Sequence, residues 1–424
     1  MMESQNPIKV LFVSCAGPPK GSPESLQVSK YLKYLLKQGG LSLTLVTEKI
    51  PQRNFGWRTL EQEYQQVLEK LDQVIAVPVY YHRLVFSLWK KVSPATFYRP
   101  DNEALFVRSF KKVIRSLSDK PEIIYSRSTP FSSAVLALRL KRHFQVPWVM
   151  HLSDPWVESP HIQVPLKYMD YHQHMENDCF TMADCLSFTN EETKQLYEAK
   201  YPQHRHKMRC FPNVFDDDAV NPLTSAGKQK IRIVHTGNFY GVGRRPGPIL
   251  KAIQQLEKKY PDLAQIIEVL FTGFQHEQAH TDFENYPCNS VKHLGVISLP
   301  EVTELQRSAD LLVLIDWELP QEKAVFQLSK TMDYLAARKP ILAITTKGST
   351  VFKMVQDQHG TCLEHNDHRG IYEALEILID QGRSCPLLQA AGPLDRQYAA
   401  SVNAEKLKDL FQKMVQRSPS SVSL

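Results

Sequence analysis

The strongest constraint on this chain is an alternation of short strand-like runs with amphipathic helices, which occurs twice. In the first half, residues 9–14 (K-V-L-F-V-S) read as a buried strand and 15–25 as a Gly/Pro-rich loop. A helix over 26–38 follows, stopped by Gly39-Gly40, and then a strand over 41–47. Strands at 122–126, 148–152 and 185–189 follow, with a helix over 132–142. Residues 212–230 are polar, acidic and Pro/Gly-containing, which suits a linker. The alternation then restarts, with strands at 231–235, 267–272, 291–294, 311–315 and 341–345. Helices are predicted over 248–258, 301–309, 330–337 and 371–380, a closing amphipathic helix over 404–416 and a frayed tail over 418–424. Strands separated by helices imply parallel sheets with right-handed crossovers. The expected fold is therefore α/β, with two Rossmann-like domains facing across a cleft.

The length of 424 residues suits two or three domains. No apolar run approaches the ~20 residues of a membrane span, and Glu3 ahead of the short run 8–16 makes a poor signal peptide. The seven cysteines are scattered and odd in number and never form C-x-x-C, which favours reduced thiols in a cytoplasmic protein. The net charge of +6 is uneven. Residues 1–215 carry 28 basic and 20 acidic groups, a balance of +8, which leaves −2 for residues 216–424. Residues 79–120 alone hold nine basic and three acidic groups, interleaved with Tyr80, Tyr81, Phe86 and Trp89. Such a stretch fits either a helix with a solvated basic face or a peripheral contact with an anionic membrane surface. No nucleic-acid motif accompanies it, so no nucleic-acid partner is expected.

Ligands of doubly wound sheets bind beyond the carboxyl ends of the strands, so the loops there carry the candidate chemistry. The segment T-G-N-F-Y-G-V-G-R-R-P at 236–246 follows a strand and precedes a helix. Its glycines let a ligand approach the backbone, and Arg244 and Arg245 offer forked donors to phosphate oxygens. A helix starting near Ser329 would turn the amides of Leu328, Ser329 and Lys330 toward an anion. Lys330 opposes the dipole at that position, a conflict that a bound phosphate removes. Asp333, one turn further in, could reach a ribose hydroxyl. The segment H-L-S-D-P-W at 151–156 places His151 and Asp154 at a strand end, where either could orient an acceptor hydroxyl. The first loop, from Gly17 to Gly21, can lie against a diphosphate or an acceptor. His172 and His174 invite a metal reading, but two residues apart they diverge on a helix, so a solvated helix without metal is expected.

In this order the motifs resemble those of the retaining GT-B glycosyltransferases of the family 4-like group, over residues 8–415. P-E-I-I-Y-S-R-S-T-P at 121–130, which contains Arg127, and V-P-W-V-M-H-L-S-D-P-W at 146–156 resemble the segments lining the acceptor side. F-P-N-V-F-D-D-D at 211–218 resembles the family's hinge, with Val214 where glycine is usual. K-T-M-D-Y-L-A-A-R-K-P-I-L at 330–342 resembles the helix beneath the nucleotide. The resemblance implies an N-terminal acceptor domain over 1–215, a linker over 216–230 and a nucleotide-sugar domain over 231–395. It also implies a helix within 396–424 that crosses back to the N-domain. It implies Arg244 or Arg245 on the donor diphosphate, Asn238 and the amides of 328–330 nearby, and Asp333 on the ribose. The first acid of the family's E-x7-E motif falls at Val325, so that motif is incomplete. The implied activity is hexosyl transfer. A helix N-terminus with arginine can replace a metal as the leaving-group clamp, so no metal or cofactor is expected. The basic stretch 79–120 makes a glycan or lipid-linked acceptor at the inner face of the membrane the expected one. A nucleotide-sugar epimerase of the same architecture and a non-catalytic scaffold are the alternatives.

Overall fold

The computed structural model describes residues 6–49, 62–79, 83–162, 164–220, 230–241, 243–388 and 394–417. The expected tail at 418–424, residues 221–229 of the expected linker, and Tyr80, Tyr81 and His82 of the basic stretch lie outside them. The chain divides into two compact units. Unit 1 comprises Met1–Val214 with Gln397–Leu424, and unit 2 comprises Phe215–Arg396.

Unit 1 is built on a parallel sheet. Its strands are β1 (Ile8–Val13), β2 (Leu41–Lys49), β3 (Gln73–Pro78), β4 (Ile123–Ser128), β5 (Trp148–Leu152), β6 (Cys185–Phe188) and β7 (Met208–Cys210). They are ordered β3-β2-β1-β4-β5-β6-β7. The inner strands are buried on both faces, and this explains their near-continuous apolar runs. One face packs under helix Ser132–Phe144, whose Ala134, Leu136, Leu138 and Leu140 are buried. The other packs under helix Pro23–Gln38 and the last helix, Ala400–Gln416. Ala400, Ala404, Leu407 and Phe411 recur at helical spacing and are buried in one cluster with Val28, Tyr31 and Leu35. The C-terminal helix thus returns to the N-terminal unit, and its Lys408 donates to the Gln38 carbonyl at 3.1 Å.

Unit 2 repeats the plan with β8 (Ile231–Thr236), β9 (Ile267–Thr272), β10 (Val291–His293), β11 (Leu311–Ile315), β12 (Ile341–Ile344) and β13 (Thr361–Leu363). All are parallel, in the order β10-β9-β8-β11-β12-β13. Its core joins Ile233, Val269, Phe271, Val313 and Leu342 to Ile249 and Ile253 of helix Gly247–Lys259 and Leu375 of helix His368–Gln381.

Three strands were not anticipated: β3, β7 and β13. Each closes an edge of its sheet, and β7 and β13 have three residues each, too few for a period to register. The expectation for the His-rich helix Met169–Met182 is corrected. His172 is buried, with Nδ1 accepting from Trp156 Nε1 at 3.1 Å and Nε2 donating to the Tyr98 carbonyl at 2.8 Å. It is a core histidine rather than a solvated one, whereas Gln173, His174, Asn177 and Asp178 give the helix the exposed face expected of it. No helix among the described residues is long and apolar enough to cross a membrane.

Candidate functional site

Each sheet reverses its strand order beside its first strand, between β1 and β4 and between β8 and β11, and ligands of such sheets gather at the carboxyl ends there. In unit 2, Gly237 follows β8 with φ +120° and Gly273 follows β9 with φ +127°. A Cβ on Gly273 would collide with the Gly237 carbonyl, and a Cβ on Gly237 would lie 2.8 Å from Lys330 Nζ. Only glycine lets these loops pass and lets the lysine lie against bare backbone.

Lys330 enters from the first turn of helix Ser329–Ala337, whose N-cap Leu328 offers no side-chain cap and whose first turn holds no acid. Tyr334, one turn on, pins the helix to the sheet: its hydroxyl accepts from Thr236 N at 2.9 Å and donates to the Val313 carbonyl at 3.2 Å. This brings Leu328, Ser329 and Lys330 to the end of β8. Arg244 is buried beside them, with Nε donating to the Ile315 carbonyl at 3.1 Å and the guanidinium 5.6 Å from the centre of the Tyr240 ring. Burial, and after it the Arg244 charge, hold the Lys330 ammonium well below the usual lysine range, while Asp316 acts the other way. His235 Nδ1 lies 2.9 Å from the Val313 carbonyl, which assigns the proton there and leaves Nε2 to accept from Lys330 Nζ at 3.4 Å. Burial, then Lys330, keep this imidazole neutral.

Asp316, just past β11, is the acid of the group. It accepts from Trp317 N at 2.7 Å and Thr345 Oγ1 at 2.9 Å. Burial pushes its carboxyl up, and these bonds and Arg244 pull it down. Two basic side chains and one carboxyl group thus meet at an uncapped helix N-terminus, which favours an anion. Tyr240 and Trp317 stack beside them at 6.1 Å.

The other sequence candidates in this unit have structural partners. Arg245 is exposed and forms a double bond-pair with Asp282 of helix Glu277–Asn285, which also accepts from Gly247 N at 3.2 Å. Its charge therefore anchors the start of the next helix. Asn238 bridges two loops, accepting from Phe274 N at 2.8 Å and donating to Tyr240 Oη at 3.2 Å. Asp333 is half-buried on the same helix as Lys330. Sequence reasoning missed His235, Asp316, Trp317 and Thr345. A polar residue directly after a buried run, as in L-L-V-L-I-D at 311–316, was the available signal.

In unit 1, Arg127 of β4 and His151 of β5 are register partners and share a face of the sheet. Arg127 is buried, pairs with Glu24 at 2.5 Å and donates to Asn213 Oδ1 at 2.9 Å. His151 Nδ1 lies 2.9 Å from Ser187 Oγ, and burial, aided by Arg127, keeps the ring neutral. Asp154 is half-buried, and burial, with Glu24 adding and Arg127 opposing, pushes its carboxyl up to about 6. His151 Nε2, Arg127 Nη1, Ser128 Oγ and Ser153 Oγ are buried without a hydrogen-bond partner among the described residues. This set can exchange protons and hydrogen bonds with hydroxyl groups.

Beside it, the first loop begins at Gly17, where a Cβ would lie 3.0 Å from Thr47 Oγ1, and passes the exposed Gly21 to the N-cap Ser22. Lys20 in this loop meets Glu48 at 3.2 Å and Glu103 at 3.7 Å. Burial pushes Glu103 up to about 8. Ligand atoms of Cys15, Glu48 and Glu103 lie within 4.8 Å of one another, a spacing a metal ion could bridge, but the Lys20 ammonium is the cation they already hold.

No protein-family model matches this chain, and no curated protein sequence does. Solved structures do. HepE from Anabaena in complex with UDP and glucose superposes with a TM-score of 0.65 at 14% identity, covering 96% of this chain and all of that one. Sucrose-phosphate synthase from Thermosynechococcus elongatus gives 0.63 at 14%, covering 98% and 100%. A putative UDP-N-acetylglucosamine 2-epimerase from Listeria monocytogenes gives 0.58 at 13%, covering 96% and 97%. The chain therefore has the fold of the GT-B glycosyltransferases: α/β, with two parallel-sheet, Rossmann-like domains.

Proposed function

We propose that this protein is a glycosyltransferase that moves a hexose-type sugar from a nucleoside diphosphate to an acceptor hydroxyl, with retention. The observation that carries the reading is the meeting of Arg244, Lys330 and an uncapped helix N-terminus at the end of β8. As the glycosidic bond breaks, negative charge grows on the leaving diphosphate. Preorganised cations and amides aimed at that charge lower the barrier most. Burial and the Arg244 charge disfavour the Lys330 ammonium in the free protein, and a bound diphosphate would favour it again. Because these groups supply the positive charge, activity is expected to survive EDTA.

In unit 1, Asp154 is the candidate to take the acceptor proton, since a carboxyl near 6 is a competent base at neutral pH. Neutral His151 and Arg127 would orient the acceptor hydroxyls. HepE and sucrose-phosphate synthase belong to the same fold, and HepE is described with UDP-glucose bound, which supports a UDP-sugar as the first donor to test.

A lipid-linked or surface-polysaccharide acceptor at the inner membrane face is the fuller form of the proposal. Helix Arg83–Val92 supports it: Leu84, Leu88 and Val92, spaced to share one face, are 73%, 62% and 74% exposed, and Lys90 and Lys91 are exposed beside them. Such a helix suits an anionic lipid surface. Charge reversal at Lys90, Lys91, Lys111 and Lys112 is expected to abolish partitioning onto anionic vesicles. Retained partitioning would remove the membrane contact.

The test of the main proposal is a thermal-shift panel of nucleoside diphosphates and their sugars without added metal. A ligand at 100 times its dissociation constant adds about 2.7 kcal/mol. A shift confined to one base, lost in Arg244→Ala, is the expected result. No shift with any nucleotide would promote a scaffold role. A shift accompanied by donor conversion without acceptor would identify an epimerase, the reading that the Listeria neighbour favours.

A further inference from the structure

A cavity of about 300 Å³ opens in unit 1 along helix Ser132–Phe144, lined by residues of helices and their connections rather than of strands. Its floor is apolar, formed by Val107, Val135 and Leu138. Four arginines line it: Arg99, Arg108, Arg139 and Arg142, all exposed. Arg139 and Arg142 are three residues apart on one helix and so share its face. Arg99 is held between two rings, 5.2 Å from the centre of Tyr168 and 5.1 Å from that of Tyr171. Arg139 is fixed by a bond from Nη1 to the Val107 carbonyl at 3.2 Å. Arg108 has no ion-pair partner among the described residues.

Acidic groups do not balance this charge. Asp178 lies 3.4 Å from Arg142 across a half-exposed pair worth little. Asp101 is committed elsewhere, accepting from Ser132 Oγ at 2.5 Å, Ser132 N at 2.8 Å and Glu103 N at 3.0 Å. Four guanidiniums thus converge around an alkyl floor with one weak counter-charge. Guanidinium forks match phosphate oxygens two at a time. A volume near 300 Å³ is the lower edge of a small-molecule pocket, enough for a headgroup and the first methylenes behind it. The wall residues Ala95 and Thr96 follow closely on the exposed apolar helix that ends at Val92.

We infer that this arginine-lined cavity binds a phosphate group carried on an apolar stem. The lipid source rests on the membrane reading above, whereas the anion site itself does not.

The test uses the full chain. Dihexanoyl phosphatidic acid and inorganic phosphate are titrated separately, and phosphatidylcholine vesicles with and without phosphatidic acid are sedimented with the protein. Dihexanoyl phosphatidic acid is expected to bind at least tenfold more tightly than inorganic phosphate. Arg108→Glu with Arg139→Glu is expected to weaken it at least tenfold at an unchanged unliganded melting temperature. Arg108→Glu alone serves if the double variant fails to fold. Lys90→Glu with Lys91→Glu is expected to weaken vesicle sedimentation and leave dihexanoyl phosphatidic acid binding unchanged. Equal affinity for inorganic phosphate would overturn the apolar stem. Phosphatidic acid binding unmoved by the arginine reversals would overturn the site, even if sedimentation still depended on Lys90 and Lys91.

Discussion

The two units share a strand order and a position for chemistry, yet they treat charge in opposite ways. At the end of β8, unit 2 concentrates Arg244 and Lys330 beside Asp316 and leaves a helix N-terminus without a side-chain cap. At the ends of β1, β4 and β5, unit 1 balances each cation with acid: Lys20 with Glu48 and Glu103, Arg127 with Glu24. Burial there pushes Glu103 and Asp154 up toward neutral pH. One end is short of an anion, while the other is neutral and rich in proton-exchanging groups. On the function proposed above, unit 2 would hold the charged leaving group and unit 1 the hydroxyl nucleophile.

The sharpest way to break this contrast is to remove the proposed anion clamp. Arg244→Ala is expected to lower kcat by about 10²–10³, the usual loss when one charge-stabilising donor goes. Steady-state kinetics with the donor found by thermal shift check it, and a loss below tenfold would dissolve the contrast. Asp154→Asn acts on the other unit. It should cost about a hundredfold in kcat and erase the acidic limb of the pH profile near 6, with nucleotide binding intact. Nucleotide binding lost along with turnover would deny the units their separate roles.

Gly237→Ala tests the loop. A Cβ at φ +120° and 2.8 Å from Lys330 Nζ should destabilise the fold by about 1–3 kcal/mol and weaken nucleotide binding about tenfold, as read by denaturant unfolding and titration.

Glu103→Gln tests the balanced side. With its folded-state pKa raised from 4.5 to about 8, Glu103 holds more proton in the folded protein than in the unfolded one across that window. Its contribution to stability therefore falls as pH rises from about 4.5 to about 8 and is constant above. The melting temperature of Glu103→Gln, relative to the native chain, should climb across that window, and a flat difference would contradict the burial argument. Smallest of all is Arg245→Ala. Its charge is spent on Asp282, so donor affinity should move by less than about threefold. An effect equal to that of Arg244→Ala would return Arg245 to the clamp.

Much of this was legible beforehand. Buried parallel strands read as apolar runs because helices cover both faces, and so β5, β9 and β11 appear in the sequence with their observed bounds. The repeated alternation, the glycine loop at 237–243 and the helix start at Ser329 are local signals, and the sequence by itself carried them. It could not distinguish Arg244 from Arg245. The pairing of Arg245 with Asp282, thirty-seven residues away in the chain, depends on packing and is what sets the two arginines apart. Nor could it show that Lys330 lies against Gly237 or that His235 faces that amine, because both contacts join separate strands and helices. Local composition fixes which segments become strands and helices. Charge balance, proton affinity and the convergence of four arginines on one cavity depend on which segments meet, and only tertiary structure decides that.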